Sequence, residues 1–228
     1  MENQNKTYIK FLELINKFKI QIIISASVVA VVLLGLIVYA YFKTSNEEKS
    51  AQLYDRAIFT IQNLMYVTNE TERNEYYQQQ INTLNMIVQN YPSTLGAIRA
   101  RLFLGKIMYQ TYTFSRNEEA MAQAISYYSG AYERSNIQFY KALALLGRAQ
   151  CYEQKNDVAK AFEDYQEVYL KFKKEGFAPL ALIGMARVKE MQNELETSIQ
   201  LYKKVLSDFP ESYWASFARG KVYFYEAK

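Results

Sequence analysis

The sequence predicts an all-α chain: one N-terminal transmembrane helix, then an α-solenoid of about four helix pairs and a C-terminal capping helix. Three observations carry this. Gly 8 and Pro 3 in 228 residues are too few for a turn-rich β fold. An uncharged run of 23 residues, Ile20 to Phe42, follows a short basic tail. Beyond it, small and aromatic residues recur with a spacing of 37.

The tail, residues 1–19, carries Lys6, Lys10, Lys17 and Lys19 against Glu2 and Glu13. Within it Tyr8, Leu12, Ile15 and Phe18 fall near one helical face. That pattern fits an interfacial helix continuing into the span, or equally a fraying basic flank. The run at 20–42 rises about 34 Å as a helix, enough for a hydrocarbon core of about 30 Å. It shows no polar face, as a buried core helix would. It is also longer than a signal-peptide core, and it ends in Tyr39, Tyr41 and Phe42, the aromatic belt of a retained anchor. Four lysines against two glutamates before the span place the N-terminus in the cytoplasm. Residues 43–228 then lie outside it, in the periplasm of a bacterium whose inner membrane holds the anchor. That segment is nearly neutral and has no basic stripe, so nucleic acid is not an expected partner.

The external part pairs 46–68 with 70–90, 93–112 with 117–134, 136–154 with 157–173, and 177–191 with 194–208, leaving 211–227 as a lone final helix. The pairing rests on three segments in phase. Ala124 and Tyr128, Ala161 and Tyr165, and Ser198 and Tyr202 each put an aromatic four residues after a small residue, with Ala131, Val168 or Val205 three further on. Ala149 and Ala186 precede the second and third small residues by twelve. Small residues let paired helices approach closely, and aromatics fill the gap to the next pair. The spacings Ser115 to Glu118 and Asn193 to Glu196 read as capping boxes. Lys155, Asn156 and Asp157 form a short polar break, and Pro92, Pro179 and Pro210 fall at the starts of first helices. These landmarks resemble the tetratricopeptide repeat, lengthened from 34 residues to 37 by a longer inter-helix loop around Thr113 to Asn117.

Histidine is absent, which removes imidazole bases, Ser-His-Asp and Cys-His nucleophiles, and His-ligated metals. Cys151 is the single cysteine, expected as a packing residue. The acidic pairs Glu47 and Glu48, Glu118 and Glu119, and Glu163 and Asp164 each stand alone on a solvated helix or at a helix start. No Gly-rich phosphate loop occurs. We therefore expect no enzyme activity, no catalytic residue, no metal and no cofactor.

A solenoid offers its concave face, lined by first helices. In the register of Ala149 and Ala186 the inward positions are Leu146, Gln150 and Glu153, then Ile183, Arg187 and Glu190, with Phe217, Lys221 and Phe224 on the final helix. Their apolar members equally suit packing against a neighbouring helix. Leu146, Ile183 and Phe217 stand where a carboxylate-clamping lysine would be needed, which argues against that mode. The final helix adds Trp214 and Tyr225 as aromatics that packing on one face alone would leave exposed.

The basic tail, the single span ending in aromatics and the small-residue helix Ser50 to Ala57 opening a repeat array resemble the ancillary Sec-translocon subunit family. The resemblance implies an inner-membrane anchor with periplasmic repeats that bind other proteins, the translocon or periplasmic chaperones among them, and no catalytic residue. The expected function is a membrane-anchored adaptor; the alternative is a self-associating structural or envelope-assembly factor, a homo-oligomer.

Overall fold

The computed structural model describes residues 2–227, and for 2–7, 10–15 and 22 the backbone alone. Among the described residues every regular element is a helix: α1 (Glu2–Asn63), α2 (Glu70–Asn90), α3 (Leu95–Ser115), α4 (Glu118–Arg134), α5 (Gln138–Gln154), α6 (Val158–Lys171), α7 (Ala178–Met191), α8 (Leu195–Asp208) and α9 (Tyr213–Glu226). Short 3-10 turns follow α1 at Leu64–Tyr66 and α6 at Lys173–Glu175. The chain divides into two compact units, Met1–Glu48 and Lys49–Lys228.

The first unit is the N-terminal part of α1. Its segment 20–42 is long and apolar enough to cross a membrane, and side chains such as Ile20, Leu36 and Tyr41 have no protein cover. Of the amphipathic pattern in the tail, Tyr8 and Phe18 are exposed, while the side chains of Leu12 and Ile15 lie outside the described residues.

The second unit stacks helix pairs, each packed mainly on its chain neighbours. First helices (the end of α1, then α3, α5, α7 and α9) alternate with second helices (α2, α4, α6 and α8). The three in-phase segments are equivalent in space: Ala124, Ala161 and Ser198 are buried, as are Tyr128, Tyr165 and Tyr202 four residues on and Ala131, Val168 and Val205 three further. Each tyrosine ring lies over the next pair's first helix. A β-carbon at Gly147 would run into the Tyr128 ring, and one at Gly184 would lie 2.6 Å from that of Tyr165. Glycine at these two positions is what brings ring and backbone together. The first pair closes similarly, with Ser50 against Gly96, Arg99 bonded to Asp55 at 3.1 Å, and Tyr54 and Ala57 packed on Leu84 and Ala100.

Four boundary details differ from the sequence reading. Helix α1 runs unbroken through 43–49, where no glycine or proline interrupts it, and stops at Asn63 rather than 68. The expected long loop at 113–117 is absent: α3 continues to Ser115, and Arg116 turns the chain in the left-handed region (φ 54°). Asn117, not Ser115, caps α4 by accepting from the Ala120 amide at 3.1 Å. Asn193 is likewise left-handed (φ 60°), and Glu194 precedes α8 without a side-chain cap. Asn156 (φ 59°) repeats the device before Asp157, which caps α6. These first-to-second turns are tight because one left-handed residue reverses the chain, and Asn tolerates that region better than most.

Candidate protein-interaction surfaces

Three first helices, α3, α5 and α7, border a cavity of about 400 Å³. Its walls are largely apolar: Leu102 and Tyr109 from α3, Leu143 and Leu146 from α5, and Phe177 and Leu180 from the start of α7. The floor is the Tyr128 ring, reachable because Gly147 has no side chain. Lys106, Gln110 and Gln150 supply the polar rim, with no carboxylate among the lining residues. Phe139 meets Phe177 at a tilt of 46° with ring centroids 5.3 Å apart.

Beside the cavity runs a series of charged ties. Glu153 accepts two bonds from Arg187, each 2.8 Å, and one from the Tyr165 hydroxyl at 2.8 Å. One unit on, Glu190 accepts from the Tyr202 hydroxyl at 2.9 Å and from Lys221 at 3.0 Å. On the outer side Arg148 donates two 2.8 Å bonds to Asp164 and a third to Ser129, and Tyr132 donates to Glu167 at 2.7 Å. These ties shift the groups they hold. Burial works against the Arg187 charge, yet the bonds and field of Glu153 and the tyrosines hold its guanidinium above its ordinary range. Burial first, and the adjacent glutamate second, push the Tyr165 and Tyr202 hydroxyls well up. Burial alone pushes the Cys151 thiol up to about 12, so it is a packed thiol and not a nucleophile at neutral pH.

The structure distributes the residues singled out in the sequence over three environments. Leu146 and Ile183 are buried in the core. Glu153, Arg187, Glu190 and Lys221 bond one another between consecutive units, and Gln150 lies on the cavity rim. On α9 the aromatics sort differently from the sequence reading. Trp214 and Tyr225 are half-buried against the main core cluster. Tyr213, Phe217, Tyr223 and Phe224 are exposed at 85%, 41%, 77% and 52%. A helix completing its turn every 3.6 residues puts Trp214 and Tyr225 beside the buried Ala218 and Val222, and the others away from them.

Of the cavity lining, sequence reasoning had chosen Leu146 and Gln150 and missed the rest, Lys106, Leu143, Phe177 and Leu180 among them. Leu143 and Leu180 follow the spacing of 37 one turn before the chosen Leu146 and Ile183, so the period contained the signal; the chosen Phe217 belongs to their register, and Gly220 to that of Leu146 and Ile183. Lys106 lies outside the phased set, and no sequence signal marks it.

The tetratricopeptide repeat family matches residues 143–174 and 180–212. These are the two units whose tyrosine, glycine and glutamate ties are most complete. No curated protein matches the chain.

Proposed function

We propose that this protein is a non-enzymatic, membrane-anchored adaptor that holds partner proteins in the groove between α3, α5 and α7. In this reading residues 20–42 cross a bacterial inner membrane once. The tail is cytoplasmic and the repeats are periplasmic, beside the protein translocon or its attendant chaperones. The observation that carries the binding role is the apolar cavity on the first helices. Its walls combine aliphatic and aromatic side chains, and its rim holds a lysine and two amides that have no charge partner within it. Such a site suits apolar side chains projecting from a partner segment, with polar groups fixing its course. A photo-crosslinking side chain at Leu143 in intact cells tests it. Partner adducts are expected at Leu143 and not at Met86 on α2, and Leu180→Asp removes them while circular dichroism stays unchanged. Equal adducts at both positions would place binding elsewhere.

A further inference from the structure

The outward face of α9 breaks the pattern of the two first helices before it. On α5 and α7 the position nearest the next unit holds a glutamate, Glu153 or Glu190, which accepts a cation from the following first helix. On α9 the equivalent residue is Ala227. Where α5 and α7 hold the buried Leu146 and Ile183, α9 has Gly220, and a β-carbon there would meet nothing within 4 Å. Around this notch lie Tyr213 and Phe217 on one side and Phe224 on the other. Lys221, at the edge of the stripe, is bonded to Glu190. The face therefore continues the seam along which first helices associate, but a further helix of the same kind would bring a cation to Ala227, whose neighbour Glu226 is already bonded to Lys203.

The spacing of the stripe reads the same in both directions: four residues from Tyr213 to Phe217, three to Gly220, four to Phe224. A second copy of α9 running antiparallel, with the two-fold axis between Phe217 and Gly220, puts each Phe217 ring into the other's Gly220 notch and each Tyr213 against the other's Phe224. Self-complementarity of this kind is what an isologous contact requires. We infer that this face of α9 pairs with the same face of a second copy of the chain. A helix of 14 residues is about 21 Å long and roughly 10 Å across. One face of it falls below the roughly 800 Å² per partner of a stand-alone interface, so the pairing is concentration-dependent.

Sedimentation of the full chain in detergent, with two sets of variants, tests this. The wild type should pass from monomer to dimer with rising concentration. Gly220→Glu, whose side chain starts in open space in the monomer, should raise the dissociation constant at least tenfold without lowering the melting temperature of the monomer. Oxidising a mixture of Phe217→Cys and Gly220→Cys chains should join one of each more than either with itself; buried Cys151 stays out of the reaction. A monomer at every concentration, or a dimer indifferent to Gly220→Glu, overturns the inference. So does a monomer whose Phe217→Cys thiol becomes shielded from a water-soluble maleimide only when lipid vesicles are added, which would assign the face to lipid.

Discussion

Gly147 and Gly184 reverse the ordinary effect of alanine in a helix. In an open position alanine gains up to about 1 kcal/mol over glycine. At Gly184 the new methyl lies 2.6 Å from the Tyr165 ring, and overpacking of this kind costs about 1–3 kcal/mol. Gly184→Ala should therefore lower stability by about that amount, while Gly220→Ala, with open space around it, should raise it by up to about 1 kcal/mol. Urea denaturation of the full chain in detergent reads both. The tyrosines give a second residue-scale expectation. An unfolded tyrosine ionises near pH 10, and burial and the neighbouring glutamate place Tyr165 and Tyr202 higher in the folded chain. The folded state then holds protons that the unfolded state releases. This contribution is complete below about pH 10 and is lost as pH rises beyond it. Melts at pH 8 and 11 should show the loss, and Tyr165→Phe should make it smaller; an unchanged slope in the variant would remove Tyr165 from the account. The sequence marked both tyrosines by their phase with the small residues. It did not mark Gly147 opposite Tyr128 or Gly184 opposite Tyr165, because a ring-over-backbone contact joins positions nineteen apart that no helical periodicity links.

At the scale of elements, helices α5 and α7 are held by the bidentate pair of Glu153 and Arg187, whose side chains are 16% and 30% exposed. Hydrogen bonds to charged groups contribute about 1.5–3 kcal/mol, and partial exposure takes this toward the lower end. Glu153→Ala should cost about 1–3 kcal/mol. The double variant Glu153→Ala with Arg187→Met should cost less than the two single changes together, since each single change strands the other partner. Strict additivity would mean the pair contributes nothing. Helix α2 is the weak element: its buried residues are Leu84 and Ile87, both in the second half. Amides of its first half should exchange with solvent well before those of α5 to α8, as hydrogen exchange with mass spectrometry would show. Helix number and most boundaries were legible because loop polarity and the 37-residue phase both mark them. The unbroken α1 and the turn at Arg116 were not. The first follows from an absence of breakers, and the second uses a residue with no special left-handed preference.

For the whole molecule, the helical repeat class was open to sequence reading because burial repeats with the chain. The surfaces were less so. Pattern proposes which residues face inward, but whether a glutamate there meets solvent or an arginine from the next unit depends on how units stack. Glu153 and Glu190 are both taken up in this way. The proposed topology has its own test. A reporter active only outside the cytoplasm, fused after Lys228, should be active, and one fused ahead of the span should be silent; the reverse pair would invert the orientation. The ties between units also make the array extensible by copying. Glu153 reaches Arg187 thirty-four residues on and Glu190 reaches Lys221 thirty-one on, so a duplicated stretch one period long and cut beside a glutamate keeps these inward ties, while the outer tie of its Asp164 is lost because Met185 stands 37 residues after Arg148. Residues 154–190 are such a stretch. Inserted again after Glu190, they supply a new Tyr165 ring, Gly184 notch, Arg187 fork and Glu190 acceptor in register with those on either side. The groove could thus be lengthened by duplication within a gene, the inward ties carried over and only an outer partner for the copied Asp164 to be supplied.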